Sequence, residues 1–160
     1  PPRSTLFPYT TLFRSSFQMV GQLCGGYLGD RFNKQIICVF CMMFHMVALL
    51  LIAFASSLWM VLLFALLHGL AWGIRGPLMV ALRADYFGPS SFGTIMGFSS
   101  LIVMLGMSIG PLFAGYMADL HGNYEIGLSF LGIGALFGAV CFAFARLPAH
   151  PLCDKLHPLI

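Results

Sequence analysis

The chain has 160 residues, of which 8% are charged and 59% hydrophobic, with a formal charge of +3. Soluble domains carry roughly 25% charged and about 45–50% apolar residues, so this composition excludes an ordinary soluble fold and points to a membrane protein. The charge is too small and scattered to suggest nucleic acid, and five cysteines (Cys24, Cys38, Cys41, Cys141, Cys153), mostly inside apolar stretches, are not a secreted disulfide framework.

Residues 1–15, PPRSTLFPYTTLFRS, repeat internally: Arg3-Ser4 recurs as Arg14-Ser15, and Thr5-Leu6-Phe7 as Thr11-Leu12-Phe13. The run TLFPYTTLFRS resembles the translation of a short-read sequencing adapter, so residues 1–15 are read as an artefact of assembly. Removing Arg3 and Arg14 lowers the formal charge from +3 to +1. On this reading the natural sequence is entered at Ser16, and an N-terminal portion is expected to be missing.

A helix needs about 20 residues to span a bilayer. Residues 17–28, FQMVGQLCGGYL, are apolar but too short and read as the end of a helix. A polar loop, 29–34, leads to a span over 35–55, interrupted only by His45. Ser56-Ser57 makes a tight turn, and a second span covers 58–82 with Arg75 in its last third. A loop over 84–91 precedes a third span at 92–118, and the loop 119–125 precedes a fourth at 126–145. The proline-rich tail, 148–160, is polar enough to lie outside the membrane. The expected fold is therefore an all-α transmembrane bundle of four full spans and the end of a fifth.

Basic residues mark cytoplasmic loops. Arg31 and Lys34 occupy the 29–34 loop, Arg83 borders the 84–91 loop, and Arg146 and Lys155 follow the fourth span, whereas Ser56-Ser57 and 119–125 hold neither lysine nor arginine. This alternation places the tail in the cytoplasm of an integral protein of the cell (inner or plasma) membrane.

Small residues four apart let helices approach closely in lipid. Gly93 and Gly97, then Gly106 and Gly110, followed by Gly115, mark the third span, and Gly134 and Gly138 the fourth. Pro111 removes a backbone donor, so a kink is expected there.

The stretch 25–34, GGYLGDRFNK, resembles the loop signature of the major facilitator superfamily, matched at Gly26, Leu28, Gly29, Asp30, Arg31 and Lys34. A second resemblance is longer. Phe87-Gly88, Phe92-Gly93, Gly110-Pro111, Gly115 and Asp119-Gly122-Tyr124 are similar to the corresponding helices of the monocarboxylate-transporter-like and oxalate:formate-antiporter-like branches. The resemblance implies that the four spans are helices nine to twelve of a twelve-helix secondary transporter, preceded by the tail of helix eight. It further implies alternating access to a midplane site shared with the missing N-terminal half, and a small-molecule substrate, with small organic anions favoured.

Arg75 is the foremost binding or gating candidate, because a charge inside a span usually faces the bundle interior or an aqueous cavity. Snorkelling to the nearby surface is the competing reading. His68 and His45, near the middle of their spans, suit proton relay or hydrogen bonding across helices. Trp72, Phe64 and Met79 suit either a cavity wall or packing. Cys38, Cys41 and His45 share one helix face, but a metal site normally needs a fourth ligand, so no metal and no cofactor are expected. No P-loop, nucleophile elbow or catalytic carboxylate pair is present, so the chain reads as no enzyme. The expected partners are the solute, membrane lipid and the missing half, with no nucleic acid. The rival readings are drug or sugar efflux by another branch and a non-transporting membrane sensor or scaffold.

Overall fold

Lipid offers no water to backbone N–H and C=O groups, so a chain this apolar must satisfy them within each segment, as helix. The computed structural model describes residues 3–88 and 91–145. It forms five α-helices: α1 (Arg3–Arg31), α2 (Lys34–Ala53), α3 (Leu58–Phe87), α4 (Phe92–His121) and α5 (Glu125–Phe144). By length and composition, α2 to α5 can each cross a membrane. The chain is an all-α transmembrane bundle. The tail 148–160 lies outside the described residues.

Helix limits depart from the sequence reading where its stop signals were placed too early. The helix end at 17–28 is the C-terminal part of a 29-residue helix that begins at Arg3. Residues 9–15 contain neither glycine nor proline to stop it. The loop at 29–34 shrinks to Phe32 and Asn33. Asn33 caps α2, its Oδ1 accepting from the Gln35 N–H at 2.9 Å. Residues 84–87 belong to α3 rather than to a loop, because the first breaker is Gly88. That glycine ends the helix at φ 71°, its N–H donating to the Ala84 carbonyl at 2.9 Å. Gly122 does the same for α4 at φ 73°. Both α3 and α4 remain helical through their internal prolines, Pro77 and Pro111.

Packing follows the order α1, α3, α2, α5, α4, with α4 touching α3 and α5 only lightly. The core joins Ile37, Cys38 and Cys41 of α2 to Ala71, Leu78 and Leu82 of α3, with Leu28 and Phe142 against it. Polar clamps tie the same end together. Gln35 Nε2 donates to the Phe142 carbonyl at 2.6 Å, and the Tyr86 hydroxyl to the Ala145 carbonyl at 2.9 Å.

The closest helix approach is between α1 and α3. A Cβ on Gly21 would lie 2.7 Å from the Leu70 carbonyl oxygen, and one on Gly25 would lie 2.8 Å from that of Ile74. Of the glycines that the spacing rule singled out, Gly138 is also tight, its added Cβ lying 2.7 Å from Met42 Cε, but the others behave differently. A Cβ at Gly93, Gly97, Gly106, Gly110, Gly115 or Gly134 would meet nothing within 4 Å. The expected close packing at these positions is therefore not realised among the described residues. The reason is position: α4 sits at the edge of the bundle, with Ala114 its one buried residue.

Candidate functional site

Two groups of polar residues stand out, one at a helix end and one at midspan. At the helix end, the loop-signature residues separate. Lys34 Nζ reaches Asp85 Oδ2 at 2.6 Å, joining the start of α2 to the end of α3. Arg31 instead lies over the ring of Tyr27, one turn back on its own helix, at 4.7 Å. Asp30 is exposed on the last turn of α1, and Gly26 faces open space, whereas Gly29 comes into ordinary contact with Leu78.

The midspan group begins with helix geometry. Phe64, His68, Trp72 and Arg75 recur at helical spacing and share one face of α3. Consecutive members touch. Phe64 and His68 have ring centroids 5.2 Å apart, His68 and Trp72 stack at 6.2 Å with 19° between planes, and the Arg75 guanidinium lies 5.1 Å over the Trp72 ring. A guanidinium over indole gains from the ring quadrupole, more so where water is scarce. Arg75 thus turns along its own helix toward midspan rather than to the nearby end.

From α2, His45 enters this group. Its Nδ1 is 3.2 Å from Nδ1 of His68, and its ring meets Trp72 edge-on at 6.0 Å. His45 is buried, and its Nε2 has no hydrogen-bond partner among the described residues. Cys41 and Cys38, one and two turns away on the same face, are buried free thiols. No group of three or more metal-type ligands gathers among the described residues.

The cluster borders a cavity of about 530 Å³. Its walls are Met42, His45 and Leu49 of α2, His68, Trp72 and Arg75 of α3, Gly106 of α4, and Phe130, Leu131, Gly134 and Ala135 of α5. Most of these walls come from the middle part of helices long and apolar enough to cross a membrane. A second cavity of about 450 Å³ shares His68 and Trp72 and reaches Gln18, Met107 and Pro111. Arg75 and His68, both singled out from the sequence, are brought together by Trp72.

The His45–His68 contact escaped the sequence reading, although its signal was there. The two residues stand equally far from the Ser56-Ser57 turn, so an antiparallel hairpin places them side by side. Gln35 and Tyr86 were also missed, since their carbonyl partners on α5 are distant in sequence.

The family model described as Major Facilitator Superfamily matches residues 9–156. Among curated proteins, the chain is 26% identical to a benzoate transport protein of Acinetobacter baylyi over 76% of its own length and 26% of that protein. It is 25% identical to a multidrug resistance protein B homolog of Mycobacterium tuberculosis, over 69% of the chain and 22% of that protein. It is 35% identical to the glucose-6-phosphate exchanger SLC37A2 of Xenopus laevis, over 55% of the chain and 17% of that protein. The chain thus spans about a quarter or less of the length of these relatives. No solved structure gives a significant match.

Proposed function

The chain belongs to the Major Facilitator Superfamily, and from that premise we propose that it forms part of the C-terminal half of a secondary transporter for a small organic anion. A transporter needs a polar site at the midplane, and the cavity bordered by Arg75 supports that reading. The observation that carries the anion reading is this guanidinium, held midway along α3 against Trp72 at the edge of the cavity. A charge in that place is costly unless a ligand or water answers it. The names of two relatives add support, since benzoate and glucose 6-phosphate are both anions. The resemblance to the monocarboxylate and oxalate:formate branches leans the same way.

The missing N-terminal half would close the cavity and cover the open glycine face of α4, with Arg75 and His68 binding or gating the solute. The loop signature and the tail would face the cytoplasm of a cell membrane, and residues 1–15 would be adapter-derived. Two other readings retain a foothold. Drug efflux is favoured by the multidrug homolog and the aromatic walls Trp72 and Phe130. A sensor or scaffold would bind solute without flux.

Proteoliposomes bearing the full-length protein test the choice with labelled benzoate, glucose 6-phosphate, glucose and a cationic dye. Saturable uptake of an anion is the expected result. Uptake of the dye or of glucose alone would transfer the chain to the efflux reading.

A further inference from the structure

Arg83 lies four residues before the end of α3, at the end of the bundle where Lys34 pairs with Asp85. That pairing engages the carboxylate nearest to it in sequence, and no ion pair to Arg83 forms among the described residues. Its Nη1 instead reaches across to α4 and donates to Met96 Sδ at 3.4 Å. A guanidinium carries five N–H donors, and a thioether is a weak acceptor for one of them. The side chain also borders a cavity of about 170 Å³, walled by Met79 and Leu82 of α3 and by Phe142 of α5. Gln35 and Tyr86 share these walls, but both already donate to carbonyls at the end of α5. Arg83 is thus the wall residue with donors left to offer a ligand.

Helix geometry relates this cavity to the larger one. Arg75, Met79 and Arg83 stand at i, i+4 and i+8, a row on one face of α3. The two arginines are about 12 Å apart along the helix axis, and Met79 is one turn from each. Arg75 borders the larger cavity, while Met79 and Arg83 border the smaller one. The row leads from the middle of α3 to the end of the bundle that also holds Arg31 and Lys34. The turns at the opposite end, 54–57 and 122–124, hold neither lysine nor arginine.

We propose that Arg83 is a second anion station, through which a small organic carboxylate or phosphate passes between Arg75 and the basic end of the bundle. The station rests on the anion reading above. Met79 is the side chain that yields between the two, since an unbranched thioether repacks easily. The stations differ in strength. Arg75 lies over Trp72, where scarce water strengthens every contact to an anion, and it holds the solute. Arg83, half-buried and answered by one sulfur, holds it in passing. A charge so placed concentrates anions at the mouth of the path and lowers the barrier to entry and to exit alike.

The test uses full-length protein in vesicles of phosphatidylcholine alone, so that no anionic lipid competes with the probe, benzoate. Initial uptake at low benzoate reads kcat/KM. Arg83→Gln is expected to lower it about tenfold at about 10 mM salt. The loss should shrink at about 1 M salt, where the Debye length falls from about 30 Å to about 3 Å. Arg83→Lys keeps the charge and should keep most of the rate. A second readout needs no transport and leaves Arg83 in place: phenylglyoxal modification of Arg83 in the Arg75→Gln protein, followed by peptide mass spectrometry. Benzoate should slow that modification, because the second station binds without the first. Undiminished uptake in Arg83→Gln, a loss that salt does not change, or modification that benzoate leaves untouched overturns the station and leaves the role of Arg75 standing. A wild-type protein that moves no anion removes the anion reading, and the station with it.

Discussion

Replacing Arg75 by glutamine in the full-length protein should lower kcat/KM for anion uptake by about 30-fold or more, while Arg75→Lys should fall between the two. Removing one partner of a desolvated, hydrogen-bonded charge pair costs roughly 2–5 kcal/mol, and each 1.4 kcal/mol is tenfold. Lysine keeps the charge but loses the planar fork and the flat contact with Trp72. Initial rates of benzoate uptake at matched protein density measure the effect. Undiminished uptake in Arg75→Gln would mean that the guanidinium serves packing and not the solute.

The second large effect concerns how α1 is held. Gly73→Ala should destabilise the protein by about 1–3 kcal/mol, the usual cost of overpacking. A Cβ there would meet the Gln18 carbonyl oxygen and stand 2.9 Å from Gly21 Cα. Both obstacles are backbone, so the only relief is movement of α1 away from α3. Gly76→Ala is the contrasting case. Gly76 faces open space on the same helix, and the change should be neutral or stabilising by up to about 1 kcal/mol through helix propensity. Thermal unfolding in detergent separates them: a midpoint several degrees lower for Gly73→Ala is expected, and an equal midpoint for both would contradict the packing described.

Much of this architecture was legible in the residues. Apolar runs of membrane length located α2 to α5, because in lipid such a run has few structures open to it. The ends were less legible. A polar stretch such as Arg83-Ala-Asp85 reads as loop, yet it continues α3 until Gly88 supplies a left-handed cap. The glycine spacing rule singled out Gly138 of α5, which packs against Met42, together with glycines of α4 that face open space. Gly21, Gly25 and Gly73 make the contacts within the chain, whereas those of α4 have no neighbour there. Spacing records that a helix can pack closely, and the partner is decided by tertiary arrangement.

The site shows the same division. Arg75 was conspicuous as a charge inside a span, and His68 and His45 as imidazoles near midspan. Their convergence depended on the register of the α2–α3 hairpin and on which faces meet. Trp72, which joins them, was indistinguishable in the sequence from a packing residue. The loop signature was legible as a pattern, but not that Lys34 would pair with Asp85 while Arg31 folds back on Tyr27.

The central claim is a midplane cavity reached alternately from both sides of the membrane. It is tested most directly by a single cysteine at Ala135, on the cavity wall, in full-length protein freed of its native cysteines. A membrane-impermeant thiol reagent is applied from each side, with and without benzoate. Phe32→Cys and Asn123→Cys, at opposite ends of the bundle, serve as the markers of the two sides. Ala135→Cys is expected to react from both sides and to be protected by benzoate, while each marker reacts from its own side alone. Reaction from one side only, unchanged by benzoate, would contradict alternating access and favour a bundle that does not transport.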